Sequence, residues 1–371
     1  MDNFLVENLG PIAKAEVDFG DLTILTGPQA TGKTLFLETF KLAKDFPFVE
    51  EYYINSNHIS DDVIPDDNAF LDFYYGDQMH HVITANTYPY LNDKIVSLSV
   101  LGRKIYDEFD RMIDMLATPD KNPEIVLFIP AQRSLALSEG RIKLSDDFIN
   151  SPFVLIRFCN YLQKYAKYHS EHILSDTIKN FEFLANADIN FRRRAGSPRL
   201  EMTIRRQTIP YMAWSTGQRE ITPLLMALDY LRPKSDYIVI EEPELGLHPR
   251  AIIEFMLTVL KIMQTGTKVI ISTHSSTPLD FVWTIKHLKE KGAKPTELAK
   301  MFDFKIKDKT VFDNLFDKIF KTYYFAPDKK TKKVYTKDIS SLDVYSEDED
   351  VSNWGGMSLS ADRAGSIVSK F

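Results

Sequence analysis

Residues 22–34 read LTILTGPQATGKT, and this stretch decides the fold. Its first part, LTILT, is a continuously apolar run of the kind found in a buried strand. Then come Gly27, Pro28, Gln29, Ala30, Thr31, Gly32, Lys33 and Thr34, spaced as G-x-x-x-x-G-K-[ST]. The following TLFLETFKLAKDF has helical spacing, with Leu35, Phe36, Phe40 and Leu42 on its apolar side. Strand, glycine loop and helix is the order that phosphate binding needs. Glycines let main-chain N–H groups curl around phosphate oxygens, and the helix start adds positive potential. In that setting Lys33 reaches the β- and γ-phosphates and the Thr34 hydroxyl ligates magnesium. The competing reading, a plain strand–helix turn, is disfavoured by the flanking elements. A nucleotide site is expected.

Upstream, FLVENL and AKAEVDF alternate around Gly10-Pro11 and predict an antiparallel pair. From Pro47 to Pro123 the pattern weakens, apart from helical periodicity over Ser99–Leu116. EIVLFIP at 124–130 reads as a buried strand, and residues 152–184 as two helices broken near His169 or Ser170. NFRRR and RLEMTIRR predict a hairpin. Beyond it, helical 218–231, DYIVIEE, helical 250–264, KVIIST and helical 278–289 alternate as a parallel sheet with crossovers requires. TVFDNLFDKIF has helical spacing, TYYFA and KKVYT predict a hairpin, and a terminal helix follows the acidic run SEDED.

DYIVIEEPE places Glu241 and Glu242 at the carboxyl end of a strand, where parallel sheets bind ligands. One carboxylate can hold magnesium while the other orients or deprotonates water. Alone the pair would read as a solvated acidic turn, but the phosphate loop reverses that balance. His274, just past KVIIST, lies at the same sheet edge and can sense the γ-phosphate of ATP. Ser215-Thr216-Gly217-Gln218 precedes a helix and makes a second candidate anion site.

In order, GPQATGKT, STGQRE, IVIEEPELGLHP and STHS resemble the Walker A, signature, Walker B with D-loop, and switch-histidine motifs of ABC-type ATPases. The opening VENLGPIAKAEVDFGDLTILTG is similar to the SMC and RecF branch, and EEPELGLHP to the overcoming-lysogenization-defect (OLD) ATPases. The likeness covers about residues 1–45 and 205–290. It implies an α/β P-loop head in two lobes of one domain, 1–45 and 188–290, with an N-terminal antiparallel β edge. A mainly helical insertion is expected at 46–187, containing strand 124–130, and an extension at 291–371 packed on the head.

The resemblance further implies a homodimer, or an oligomer of dimers, that holds two ATP molecules between subunits. Ser215, Gly217 and Gln218 of one copy then meet the nucleotide cradled by residues 27–34 of the other. It makes Glu242 the general base, Glu241 a magnesium-side acid and Gln132 a magnesium-contacting glutamine. Relatives usually have Gly where Ala30 stands and Asp where Glu241 stands. IPAQRS also reads as a plain strand exit, with Arg133 at an interface. No sustained heptads lie between Leu35 and Trp214, and no TOPRIM-type acidic pattern is found in 275–371, so neither a long arm nor a nuclease domain is expected.

The chain of 371 residues has a net charge of -7, 44% hydrophobic and 26% charged residues, and a single cysteine, Cys159. Overall field-driven nucleic-acid binding, a disulfide framework and a cysteine zinc cluster are thereby excluded. Without a long apolar run or a secretory-type start, the expectation is a cytoplasmic protein with no membrane association. The resemblance favours an ATP switch that controls a separate effector, a nuclease or toxin, in antiphage defence. The alternative is a RecF-like repair ATPase in which Arg192, Arg193, Arg194, Arg199, Arg205 and Arg206 grip nucleic-acid phosphates. Those arginines equally suit a solvated hairpin or an acidic docking partner such as SEDED.

Overall fold

The computed structural model describes residues 1–56, 66–98, 124–148, 150–168, 184, 187–194, 197–231, 235–303, 309–357 and 368. The helical expectation over 99–116, the helix after His169 and most of the expected terminal helix lie outside these residues.

The strands are β1 (Asp2–Leu9), β2 (Ile12–Phe19), β3 (Leu22–Thr26), β4 (Ile83–Leu91), β5 (Lys94–Ile95) and β6 (Val126–Ile129). They continue as β7 (Leu137–Ser138), β8 (Arg141–Ile142), β9 (Ala187–Arg194), β10 (Ser197–Ile204) and β11 (Gln207–Pro210). The last four are β12 (Tyr237–Glu241), β13 (Lys268–Thr273), β14 (Phe320–Pro327) and β15 (Val334–Asp338). The helices are α1 (Lys33–Ser56), α2 (Asp67–Tyr75), α3 (Phe153–Tyr168), α4 (Thr216–Leu231), α5 (Pro249–Met263) and α6 (Thr277–Glu290). Short α7 (Glu297–Met301) and α8 (Glu349–Ser352) follow.

A 10-stranded sheet runs β5-β4-β1-β2-β15-β14-β3-β13-β12-β6. Strands β14, β3, β13, β12 and β6 are mutually parallel, as the crossover pattern predicts. At the other side β1 pairs antiparallel with β2 across the Gly10-Pro11 turn, with Leu9 opposite Ile12. The β14–β15 hairpin joins the two halves: Phe320 pairs with Leu22, and Val334 with Ile12.

Alternation sorts the central strands' apolar side chains onto the two faces. Leu22, Ile24, Ile238, Ile240, Val269 and Ile271 enter a core with α4, α5 and α6. Leu25, Tyr237, Val239 and Ile270 enter the opposite core with α1 and α2. Every residue of β3 and β12 is buried, which explains why both read as unbroken apolar runs.

Helix α1 continues through Pro47, where the sequence pattern suggested an end. Asp45 leaves helical geometry at φ -107°, ψ 17°, so a kink accommodates the proline. Its carboxylate accepts from Ile125 N at 2.8 Å, while Lys41 Nζ donates to Asp45, Glu124 and the Val126 carbonyl at 2.7, 2.8 and 2.6 Å. This buried network fixes the start of β6 against α1. The expected helix over TVFDNLFDKIF is instead two single 3-10 turns, Lys309–Phe312 and Leu315–Asp317, interrupted by Asn314 at φ 53°. Among the described residues, no helix is long and apolar enough to cross a membrane.

Candidate functional site

Parallel strands deliver their carboxyl ends to one edge, so β3, β12, β13 and β6 present their following loops together. Lys33, the first residue of α1, is buried against the loop after β3, with Nζ 2.9 Å from the Gly27 carbonyl and 3.0 Å from that of Pro28. Burial pulls its pKa down to about 8, against the opposing influence of Glu242, Glu241 and Glu244. Gly27 lies at φ 148°, and a Cβ there would meet the Phe325 carbonyl at 2.8 Å. The 27–34 loop is therefore backed directly by β14.

Ala30 occupies the left-handed region at φ 60°. A side chain there costs about 1–2 kcal/mol, and glycine loses about 0.4–1 kcal/mol through its freer unfolded chain. Ala30→Gly is thus expected to raise unfolding stability by roughly 0.5–1 kcal/mol. Thermal unfolding checks this, and an unchanged or lower midpoint would show the loop to be relaxed with alanine.

Glu241 is buried at the end of β12 and accepts from the Thr34 hydroxyl and from Ala131 N, the latter at 3.3 Å. Burial pushes its carboxyl up to about 7, and those hydrogen bonds only partly offset this. Its Oε1 is buried without a hydrogen-bond partner. A buried carboxylate oxygen left open beside the Thr34 hydroxyl fits a hard oxygen-seeking cation such as magnesium. Glutamate in place of aspartate does not prevent the contact with Thr34.

Glu242 steps off the strand at φ 41° and turns toward His274, whose Nε2 lies 3.5 Å from Glu242 Oε1. Burial and nearby Lys33 lower the His274 pKa, opposed by Glu242 and Glu244, and the imidazole also bonds to the Gly27 main chain. Glu244 holds this loop from outside the expected set. Its Oε1 accepts from His274 N at 2.6 Å and from the Thr273 hydroxyl at 2.8 Å. Nothing in the residue pattern distinguished Glu244 from a solvated loop acid.

Gln132 follows β6 and is exposed, with no side-chain capping bond. Its neighbour Arg133 is fully buried rather than at an interface, bonding to the Glu241 and Glu242 carbonyls. A lone arginine after a strand ordinarily reads as a surface residue, so sequence gave no signal for this.

Ser215 and Gln218 cap α4 reciprocally: Gln218 N donates to Ser215 Oγ at 3.3 Å and Ser215 N to Gln218 Oε1 at 2.9 Å. Ser215 and Thr216 are exposed, whereas Gly217 is buried. A Cβ on Gly217 would come 2.6 Å from the Gly246 carbonyl, so this glycine serves close packing against the loop after β12. Among the described residues, no hydrogen bond joins 215–218 to 27–34 of the same chain.

The arginines lie on a separate sheet ordered β11-β10-β9, with Arg192 opposite Arg199. Arg192 pairs with Glu201 at 3.3 Å and Arg199 with Glu139 at 3.8 Å, which reduces the local positive field. Arg205 and Arg206 form the exposed β10–β11 turn at φ 49° and 66°. Arg193 and Arg194 belong to β9. The acidic run does not dock there: Asp348 and Asp350 bind Lys337 of β15 at 2.5 and 2.8 Å.

The family described as "AAA domain, putative AbiEii toxin, Type IV TA system" matches residues 127–280. No curated protein matches the sequence. Among solved structures, the SMC head domain from Thermotoga maritima is similar at 10% identity, covering 91% of this chain and 97% of that one, with a TM-score of 0.40. An SmcHead bound to the C-winged helix domain of ScpA is similar at 9% identity, covering 92% and 99%, with a TM-score of 0.44. The loops after β3, β6, β12 and β13 meet at one sheet edge, and with the match over 127–280 this gives a mixed α/β P-loop fold similar to that of AAA-type ATPase domains.

Proposed function

We propose that this chain is a magnesium-dependent ATP hydrolase that works as a switch. Two copies close on ATP, each offering Ser215–Gln218 to the nucleotide cradled by the other's residues 27–34. The observation that carries this reading is a division within one chain. Lys33, Thr34, Glu241, Glu242 and His274 converge, while Ser215 and Thr216 stand exposed and, among the described residues, make no direct hydrogen bond to them. Met212, just before Ser215, is 63% exposed and adds apolar surface to that side.

In the reaction, Lys33 exchanges two carbonyl acceptors for phosphate oxygens, a stronger charge-assisted pairing. Thr34 and Glu241, with Gln132, would hold magnesium, which supplies charge neutralisation at the phosphate oxygens. Glu242 accepts a proton from water as the water oxygen bonds to the γ-phosphorus. The bond from that phosphorus to the β–γ bridging oxygen breaks, giving ADP and phosphate. His274, held by Glu244, orients the attacking water and the γ-phosphate.

The effector would be a separate nuclease or toxin, in a cytoplasmic antiphage system. Support for this comes from the motif resemblance and from the toxin–antitoxin wording of the matching family.

Light scattering with a non-hydrolysable ATP analogue and magnesium tests the switch. Wild type should double in mass, while Ser215→Arg should bind the analogue at its own loop yet stay monomeric. A wild type that remains monomeric at saturating analogue would remove the dimer from this proposal.

A further inference from the structure

Arg133 is a fully buried cation whose principal partners are main-chain oxygens. Its Nη1 donates to the Glu241 carbonyl at 2.6 Å and the Pro130 carbonyl at 3.3 Å. Nη2 donates to the Glu242 carbonyl at 3.0 Å, and Nε to the Glu220 carbonyl at 3.3 Å. Three chain segments thus end on one guanidinium: the β6 exit that carries Gln132, the acidic end of β12, and the second turn of α4. Among the described residues, the only carboxylate ion-paired with it is that of Glu220, 3.9 Å from Nε.

We propose that Arg133 is a positioning residue that sets the direction of Glu242 and ties it to the helix begun by Ser215. This rests on the ATPase reading above. Glu242 holds φ 41°, which a non-glycine residue keeps only when its surroundings impose it. Three bonds do so: Glu242 N donates to the Ser272 carbonyl at 2.8 Å, while Arg133 Nη2 and Leu245 N donate to the Glu242 carbonyl at 3.0 and 3.2 Å. The same guanidinium fixes the preceding carbonyl, so the Glu241–Glu242 unit cannot rotate freely.

The fork then reaches α4 through Glu220, about one turn beyond the exposed capping residues Ser215 and Thr216. Contact between Ser215 and a nucleotide on a second copy would load the start of α4. Arg133 passes that load to the carbonyl behind the attacking base, making hydrolysis conditional on closure. A lysine cannot substitute, because a point ammonium has no planar fork to span carbonyls lying in different directions.

Arg133→Lys and Glu220→Gln test this in the full chain, with analogue affinity, turnover at saturating ATP and melting temperature measured on each. Arg133→Lys should bind the analogue within about threefold of wild type yet turn over about 100-fold more slowly, the scale set by small misplacement of a reacting group. Glu220→Gln, which keeps the carbonyl but removes the counter-charge, should slow turnover about tenfold with affinity unchanged. If Arg133→Lys does not fold, Glu220→Gln decides alone.

Wild-type turnover in these variants would overturn the proposal. So would parallel losses of affinity and turnover, which indicate general loosening. A wild type with no ATP turnover fails the ATPase reading itself and takes this proposal with it.

Discussion

Lys33→Ala should bind ATP at least about 100-fold more weakly than wild type, the cost of leaving buried phosphate charge without its cation. The side chain is buried inside the loop, and its ammonium rests on the carbonyls of Gly27 and Pro28. Those neutral acceptors satisfy hydrogen bonds without cancelling the charge, which is why burial holds the pKa near about 8. A triphosphate supplies the missing charge. Losing one member of such a pair costs about 3–5 kcal/mol, equivalent to between two and four decades of affinity.

The same pKa gives the wild type a pH signature. Below pH 8 free Lys33 carries its proton, and bound phosphate should raise its pKa further. Raising the pH above about 8 therefore imposes protonation before binding, and affinity should fall by up to about tenfold per pH unit. Titration calorimetry at pH 7 and pH 9 checks the sign. The alanine variant should lose this dependence along with its affinity. Binding by Lys33→Ala within threefold of wild type would remove Lys33 from the phosphate site.

Much of this site was legible because its chemistry depends on residue type at short spacing. Gly27–Thr34 is a local motif between a strand and a helix, and the structure supplies both flanks. The acidic end of β12 and His274 were readable for the same reason: alternating elements bring successive strand ends to one edge. Long-range pairing was not legible. The TYYFA–KKVYT hairpin was evident, but its insertion between β3 and β2 pairs Phe320 with Leu22 and Val334 with Ile12. No local pattern records such a register.

Burial of charge was equally invisible. No sequence pattern marks Lys41, Asp45 or Arg133 as buried, yet each is: Glu124 and the Val126 carbonyl close on Lys41, Lys41 and the Ile125 N–H on Asp45, and carbonyls of three segments on Arg133. Gly217 shows a different limit. The signature resemblance gave it a nucleotide role, while its observed constraint is contact with Gly246 in the same chain.

Glu242→Gln should slow ATP turnover by about 100- to 10,000-fold, the range associated with losing a general base, without weakening ATP binding. The substitution is nearly isosteric and leaves intact the main-chain bonds to Ser272 and Arg133 that hold this residue. What disappears is the acceptor for the water proton, since a neutral amide has little basicity. Charge favours retained binding as well. Glu242 stands among the carboxylates around Lys33, and removing it takes one negative charge away from the incoming triphosphate.

ATP should consequently persist in the site, and the closed pair should accumulate with ATP itself rather than only with an analogue. Phosphate release measured beside mass by light scattering separates the two effects. A variant that turns over at the wild-type rate would show that Glu242 does not take the proton. A slow variant that stays monomeric at saturating ATP would leave Glu242 as the base and break the link between nucleotide and closure.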